Sequence, residues 1–344
     1  MYKKVFSAAI LASAAMAMTS CSSSKNAQNE NVTKAEKITE AEAARPSADE
    51  EMDEGYLVLS EAQQNIVKKN NDFAFRLYQQ ISGMDSEVVS PMSIAYLMGM
   101  LANGADSKTQ QEILKAIGCE GVSVKELNDC YKALMLSAGK FDKQTTVNIA
   151  NFIAINKNFR LNSDFAHTVA DSYQAGVESM DFTSPKSATR INDWCKKQTK
   201  GMIPSIIDQV DPAAVSYLLN AIYFNGTWQE KFDAKNTRLE NFSGYTRDIK
   251  KVNMMHQNKK FAYTENDMLQ AVELPYGNGC YQMTVLLPKA GKSISEVMKE
   301  MDADKLQKLS NDMDRCQVDL KFPKFTTEMD LSLNQIISKL GAPS

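Results

Sequence analysis

Apolar residues recur at helical spacing in the first part of the globular region. A stripe that includes Phe73 and Leu77 predicts an amphipathic helix over residues 64–80. Ser90 suits a helix N-cap and Pro91 suits the first helical position, so a second helix is predicted over residues 92–101. Because that segment is apolar nearly all round, we expect it to be buried in the core.

Three further helices are predicted from local signals. Thr109 and Glu112 form a capping-box pattern, and the helix that they start is expected to end at Gly118. Ser293 and Glu296 repeat the capping pattern and predict another helix start. Between them, one helical face is predicted to carry Ile191, Trp194, Cys195 and Gln198, with Gly201 and Pro204 ending that helix.

Strand patterns dominate the second part of the chain. Alternation over residues 147–155 predicts a strand covered on both faces. The long apolar run over residues 213–224, interrupted by Ser216 and Asn220, predicts a central buried strand that ends at Asn225. Shorter strands are predicted at residues 261–263, 272–274, 283–287 and 318–322, and a last helix at residues 331–340 before Gly341. Helices followed by mainly antiparallel strands indicate an α+β fold.

The N-terminal segment has the features of an export signal. Lys3 and Lys4 precede a short apolar run, and small residues lead directly into Cys21. We expect residues 1–20 to be a lipoprotein signal peptide and Cys21 to carry the lipid; the alternative is an ordinary signal peptide with a chance cysteine. Residues 21–54 are polar and poor in aromatic residues, which predicts a flexible tether, and the globular region is expected over residues 55–344.

Composition excludes several classes of function. The formal net charge of −3 gives no electrostatic case for a nucleic-acid partner. Of the six cysteines, the five after Cys21 are far apart and form no CxxC or Cys/His ligand pattern, so no metal site is predicted. These five are expected to be mostly buried small hydrophobic residues, with one disulfide as the open alternative.

No catalytic or cofactor motif is found. The chain has two histidines, His167 and His256, and neither lies in a nucleophile–base motif. There is no GxSxG elbow, no phosphate-binding loop and no HExxH helix. Counting acidic residues does not exclude a carboxylate-based glycosidase, but nothing selects a pair of them. We therefore expect that the chain is not an enzyme and needs no cofactor.

Several segments resemble the serpin family of protease inhibitors, in the order and at the spacing of that family. The most recognisable is Asn-Ala-Ile-Tyr-Phe-Asn-Gly-Thr-Trp at residues 220–228, followed by Phe232. Other matching segments lie at residues 89–94, 191–203, 272–276, 285–288 and 320–325, and at 340–341. The resemblance covers about residues 59–341 and implies the multi-sheet serpin fold with an N-terminal helical cluster.

The resemblance implies a suicide-substrate inhibitor of serine endopeptidases, with cysteine endopeptidases as the alternative target class. In such proteins the protease cleaves an exposed loop, which then inserts as a new strand in the main sheet. Ser90, Ser93 and Asn220 match the family's shutter, a polar cluster beneath that sheet, and hydroxyl groups on the buried helix are candidate partners for Asn220. Trp228 matches the breach, where the loop first enters. The structural alternatives are a helix cap, a satisfied core amide and an aromatic residue at the edge of the core.

The sequence departs from the family pattern after Gly341. A family member continues there with a hinge, the bait loop, a shutter histidine and two core strands. The expectation is therefore an incomplete domain, truncated before the reactive loop, that is poorly stable and non-inhibitory by itself. Three interpretations remain: an exported, lipid-anchored inhibitor with a protease partner, a non-inhibitory binding protein displayed on a membrane, and, least favoured, an unrelated enzyme.

Overall fold

A computed structural model of the chain describes residues 57–81, 86–244 and 249–342. Helices come first and mainly antiparallel strands follow, which confirms the expected α+β class. The α-helices of these residues are α1 (Glu61–Ile81), α2 (Pro91–Gly104), α3 (Ser107–Ala116), α4 (Val124–Ala138), α5 (Ser163–Tyr173), α6 (Pro185–Gln198), α7 (Ile294–Glu300), α8 (Ala303–Asn311) and α9 (Asn334–Leu340).

The strands of the described residues form two sheets. They are β1 (Thr146–Asn156), β2 (Gly176–Met180), β3 (Ser216–Asn225), β4 (Arg238–Ser243), β5 (Ile249–Glu265), β6 (Leu269–Tyr276), β7 (Tyr281–Pro288) and β8 (Asp314–Pro323). The first sheet has the order β2-β1-β3, in which β2 is parallel to β1 and β3 is antiparallel to it. The second sheet has the order β4-β5-β6-β7, and β8 pairs with β5.

Most helix ends follow the local signals. Ser90 caps α2, and Ser293 with Glu296 forms a capping box at α7. The capping box predicted at Thr109 is wrong: α3 begins two residues earlier, after Asp106, with no side-chain cap bond. Glu112 instead lies 3.5 Å from the ammonium group of Lys108.

The first sheet lies between two apolar layers. One face packs on the helical cluster of α1 to α5, and the other face packs beneath α6 through Ile191, Trp194 and Cys195. The expectation that β3 is a central strand is not met among the described residues, because β3 pairs only with β1 and lies at the edge of its sheet. Its apolar sequence is half-buried rather than buried along its whole length.

Candidate functional site: a polar cluster beneath the first sheet

The N-terminus of α2 holds two of the predicted site residues together. The Ser93 backbone N–H donates to the Ser90 hydroxyl at 3.3 Å, and the two hydroxyl oxygens are 3.0 Å apart. Because Pro91, at the first helical position, has no backbone N–H that needs an acceptor, the Ser90 hydroxyl can accept from a later residue of the first turn. Ser90 therefore caps the helix, as predicted, and Ser93 is its direct neighbour.

Asn220 bonds across the sheet rather than to the helix. Its Nδ2 donates to Oδ1 of Asn151, the residue directly opposite in the β1–β3 register, at 2.8 Å. Asn151 in turn donates to the backbone carbonyl of Tyr173 at 2.8 Å. Hydroxyl groups on α2 were the candidate partners of Asn220, and the structure corrects that expectation.

Asn220 nevertheless faces the buried helix. Leu218 and Ile222, two residues away on either side, pack against the core cluster that includes Ile94 and Ala95 of α2. Because side chains alternate along a strand, Asn220 shares their face of the sheet. Asn220 therefore lies on the side of β3 that packs against α2, the helix that Ser90 caps and that contains Ser93.

One acceptor in this interface has no partner. Oδ1 of Asn220 is buried and accepts no hydrogen bond from any described residue. A buried amide oxygen that has lost water and gained no donor costs roughly 1–3 kcal/mol of folding free energy. A donor reaching this oxygen would recover that free energy.

Asn151 is a site residue that sequence reasoning missed. It is 3 % exposed, and it links β3 to the end of α5 through its two hydrogen bonds. The signal was present, since Asn151 is an amide within an apolar strand, as Asn220 is. It could have been identified by the demand that a buried amide find partners.

Trp228 lies apart from this polar cluster, beyond the end of β3. Its ring stacks on Tyr276 with centroids 4.3 Å apart, and it meets Phe232 and Phe322 edge-on at 6.4 and 6.3 Å. A Cβ on Gly226 would come within 2.8 Å of the Tyr276 ring, which explains the glycine before this tryptophan. Trp228 thus links the segment after β3 to the second sheet, and its assignment to the breach stays a prediction.

The described residues show no constellation for covalent catalysis. Burial raises the pKa of Cys119 to about 11 and that of Cys130 to about 12, so neither thiol is an activated nucleophile. His256 lies 2.8 Å from Glu240, while His167 is exposed on α5. No group of His, Cys, Asp and Glu in the described ranges could hold a metal ion.

Other expectations concern cysteines and the membrane. The five cysteines within residues 57–342 are all free thiols, and three of them, Cys119, Cys130 and Cys195, are buried. The predicted signal peptide, the predicted lipid attachment at Cys21 and the predicted tether lie outside the described residues. Within the part of the chain that the structure covers, no helix is long and apolar enough to cross a membrane.

Comparisons with known proteins identify the family. The serpin (serine protease inhibitor) family model matches residues 68–344. An uncharacterized serpin-like protein of Thermococcus kodakarensis is 30 % identical over 295 residues, which are 83 % of this chain and 68 % of that protein. The leukocyte elastase inhibitor of Sus scrofa is 29 % identical, covering 79 % of this chain and 75 % of that protein.

A solved structure agrees with this assignment. Human thyroxine-binding globulin complexed with thyroxine superposes with a TM-score of 0.76 at 26 % identity, over 82 % of this chain and 77 % of that one. The family model alone spans more than half of the sequence. The chain therefore belongs to the serpin family.

Proposed function

We propose that this chain supplies the strand-accepting part of a suicide-substrate inhibitor of endopeptidases. The target is an endopeptidase of the serine class, or of the cysteine class through the same acyl-enzyme chemistry. The chain's membership of the serpin family and its similarity to a leukocyte elastase inhibitor support this proposal. We further propose that Cys21 carries a lipid that holds the exported protein at a membrane surface, since acyl chains contribute about 0.8 kcal/mol per buried methylene.

The observation that carries the proposal is the free edge of β3. Among the described residues this strand pairs with β1 on one side and with no strand on the other. A strand added there would pair with the free backbone groups of β3, at about 1 kcal/mol net for each hydrogen bond. A donor side chain on that strand would also satisfy Oδ1 of Asn220.

The proposed roles of the site residues follow from this geometry. Asn151 and Asn220 bond β3 to β1, and Ser90 and Ser93 pair at the N-terminus of α2, the helix that packs against β3. We assign these four residues to the shutter that a new strand must pass. Trp228, which links the segment after β3 to the second sheet through Tyr276, is assigned to the breach where the strand enters.

We propose that residues 57–342, in which the edge of β3 accepts a strand, do not trap a protease by themselves. The recombinant 344-residue chain should form no SDS-stable complex with elastase, trypsin or papain. Protein purified from the membranes of cells that make it, with its mass measured, should form such a complex with at least one protease of the panel.

The outcomes separate the proposal from its alternatives. A covalent complex between the 344-residue chain and a protease would contradict the proposal that residues 57–342 do not trap a protease by themselves. If the membrane-purified protein formed no complex with any serine or cysteine protease of the panel, the proposed inhibitory function would be contradicted. Members of this family are generally inhibitors or binding globulins rather than enzymes, so we propose no catalytic activity for the chain.

A membrane-displayed binding protein is the second candidate. The observation in its favour is the similarity to thyroxine-binding globulin, a protein of this fold that was solved with thyroxine bound. In that case the membrane-purified protein would retain a small apolar ligand, detectable by mass spectrometry after denaturation, and would leave every protease of the panel active.

A further inference from the structure

The outer edge of β1 is only half covered. The register pairs β2 with β1 from Phe152 to Asn156, whereas β3 pairs with β1 from Thr146 onward. The outer edge of residues 147–151 therefore has no strand partner among the described residues. Five residues of free strand edge are about 16 Å long.

A cleft of about 460 Å³ lies at this free edge. A cleft of this volume is within the range of about 300–1,000 Å³ that small ligands occupy in proteins. Consecutive residues of β1 form its base, β2 closes one end, and α6 forms a wall. The lining residues used below are Asn148, Phe152, Glu178, Arg190, Trp194 and Gln198.

The side chains of the cleft are already paired with each other. Asn148 donates to the carbonyl and to the side-chain oxygen of Gln198 at 2.9 and 3.1 Å. Arg190 makes a bidentate contact with Glu178, at 3.2 Å from Nε and 2.7 Å from a terminal nitrogen. These four side chains bond to one another, and the outer backbone N–H and C=O groups of residues 147–151 have no strand partner among the described residues. A free strand edge is recognised by an extended peptide.

Two exposed lysines lie on α6 near the cleft. Lys186 and Lys197 are exposed, and at 100° per residue they lie within about 40° of Arg190 around α6. Asp193 is the acidic residue on the same side of the helix. A peptide with acidic side chains would gain from the two lysines while its backbone pairs with β1.

We propose that the cleft binds a short, acidic, extended peptide segment of a partner protein, which adds to the free edge of β1 in line with β2. This site lies on the opposite side of the first sheet from the free edge of β3. Its occupant is held reversibly by main-chain hydrogen bonds and by Lys186 and Lys197. The site is therefore distinct from the edge of β3 at which strand uptake is proposed.

Peptide binding in the cleft can be followed by the fluorescence of Trp194. The chain has two tryptophans, and Trp194 is stacked on Phe152 in the wall of the cleft with ring centroids 5.3 Å apart. The probe is an acetylated, amidated heptapeptide that alternates glutamate and valine, titrated into the intact protein. We expect a saturable change in tryptophan emission that Trp194→Phe removes, and no binding by the same peptide N-methylated at alternate residues.

A matched pair of charge reversals tests the role of Lys197 in peptide binding. Lys196 and Lys197 are adjacent in the last turn of α6 and both exposed, but Lys196 is rotated about 120° from Arg190, away from the cleft. Lys197→Glu should weaken binding roughly fivefold, and Lys196→Glu should change it less than twofold.

Four results would overturn the proposal. They are absence of a saturable signal, equal binding of the N-methylated peptide, equal effects of the two charge reversals, and displacement by an uncharged peptide that anneals to β3. The last result would place the acidic peptide at the β3 edge and would leave the proposed strand uptake intact.

Discussion

The carboxylate of Asp142 lies against the backbone of Gly277, so closely that a Cβ on residue 277 would be 1.7 Å from Oδ2. The same oxygen accepts from Thr145 Oγ1 at 2.6 Å and from the backbone N–H of Asn278 at 3.3 Å. The Asn278 side chain returns a hydrogen bond to the carbonyl of Phe141 at 2.7 Å. The turn between β6 and β7 is thereby fixed to the loop that leads from α4 into β1.

Replacement of Gly277 by alanine should therefore destabilise the fold by more than the strain of a positive φ alone. Gly277 has φ +47° and Gly121 has φ +80°, but a Cβ on Gly121 would meet nothing within 4 Å. Both substitutions carry the cost of a positive φ, and only Gly277→Ala adds the overlap with Asp142. We expect it to lower the free energy of unfolding by about 2 kcal/mol more than Gly121→Ala, measured in urea. Equal losses would show that the Asp142 contact is unimportant.

The two asparagines of the first sheet should not contribute equally to stability. Asn151→Ala leaves the Tyr173 carbonyl and Asn220 Nδ2 without partners, and should cost about 2 kcal/mol. Asn220→Ala leaves only Oδ1 of Asn151 without its donor and at the same time removes the buried unpartnered oxygen, so its cost should be about 1 kcal/mol smaller. Thermal unfolding of both variants measures the difference, and a larger loss for Asn220→Ala would contradict the pairing described above.

Glu273 should make the fold less stable as pH rises. Burial raises the pKa of Glu273, although a 2.6 Å hydrogen bond from Ser310 partly opposes this. Because the pKa is higher in the folded state, its stabilising contribution is complete below the ordinary glutamate pKa and is lost as pH rises through the raised value. Glu273→Gln should therefore raise the unfolding midpoint at pH 7 and have little effect near pH 4.

Glu265 provides a control of opposite sign. A hydrogen bond from Tyr263 and the ammonium group of Lys289 lower the pKa of Glu265, so its contribution is present at neutral pH and is lost on acidification. Glu265→Gln should lower the midpoint at pH 7. If both variants shifted the midpoint in one direction, the assigned environments would be wrong.

Two hydroxyl residues with similar sequence patterns should differ in how much they stabilise a helix by capping it. Ser123 forms a capping box with Glu126 at the start of α4, whereas Thr109 is an exposed residue inside α3 with no capping role. Ser123→Ala should cost about 1 kcal/mol, and Thr109→Ala should stay within about 0.5 kcal/mol of the parent protein. A comparable loss for Thr109→Ala in urea unfolding would restore the capping box that the structure rejects.

Local signals predicted the parts of the fold that depend on neighbouring residues. The cap at Ser90 and the strands predicted at residues 272–274 and 283–287 follow from steric and hydrogen-bonding preferences within a few residues. The capping box predicted at Thr109 is wrong because the N-cap position belongs to Asp106, so Thr109 already lies inside the helix.

Contacts between distant segments were harder to predict. Asn220 was identified as an amide that needs partners, but its pairing with Asn151 depends on the β1–β3 register, which joins residues far apart in the chain. The position of β3 at the edge of its sheet likewise depends on which strands lie beside it, and an apolar run does not encode that. The half-covered edge of β1 has the same origin, since it results from the short length of β2.

Uptake of a strand at the edge of β3 is the claim that supports the proposed function, and hydrogen exchange tests it most directly. The 344-residue chain is incubated with a synthetic peptide of alternating threonine and alanine, and separately with the same peptide carrying prolines at alternate positions. The account predicts that only the first peptide protects amides of β3 from exchange and raises the thermal unfolding midpoint. Unchanged exchange in β3 with both peptides, or protection by the proline peptide as well, would contradict it.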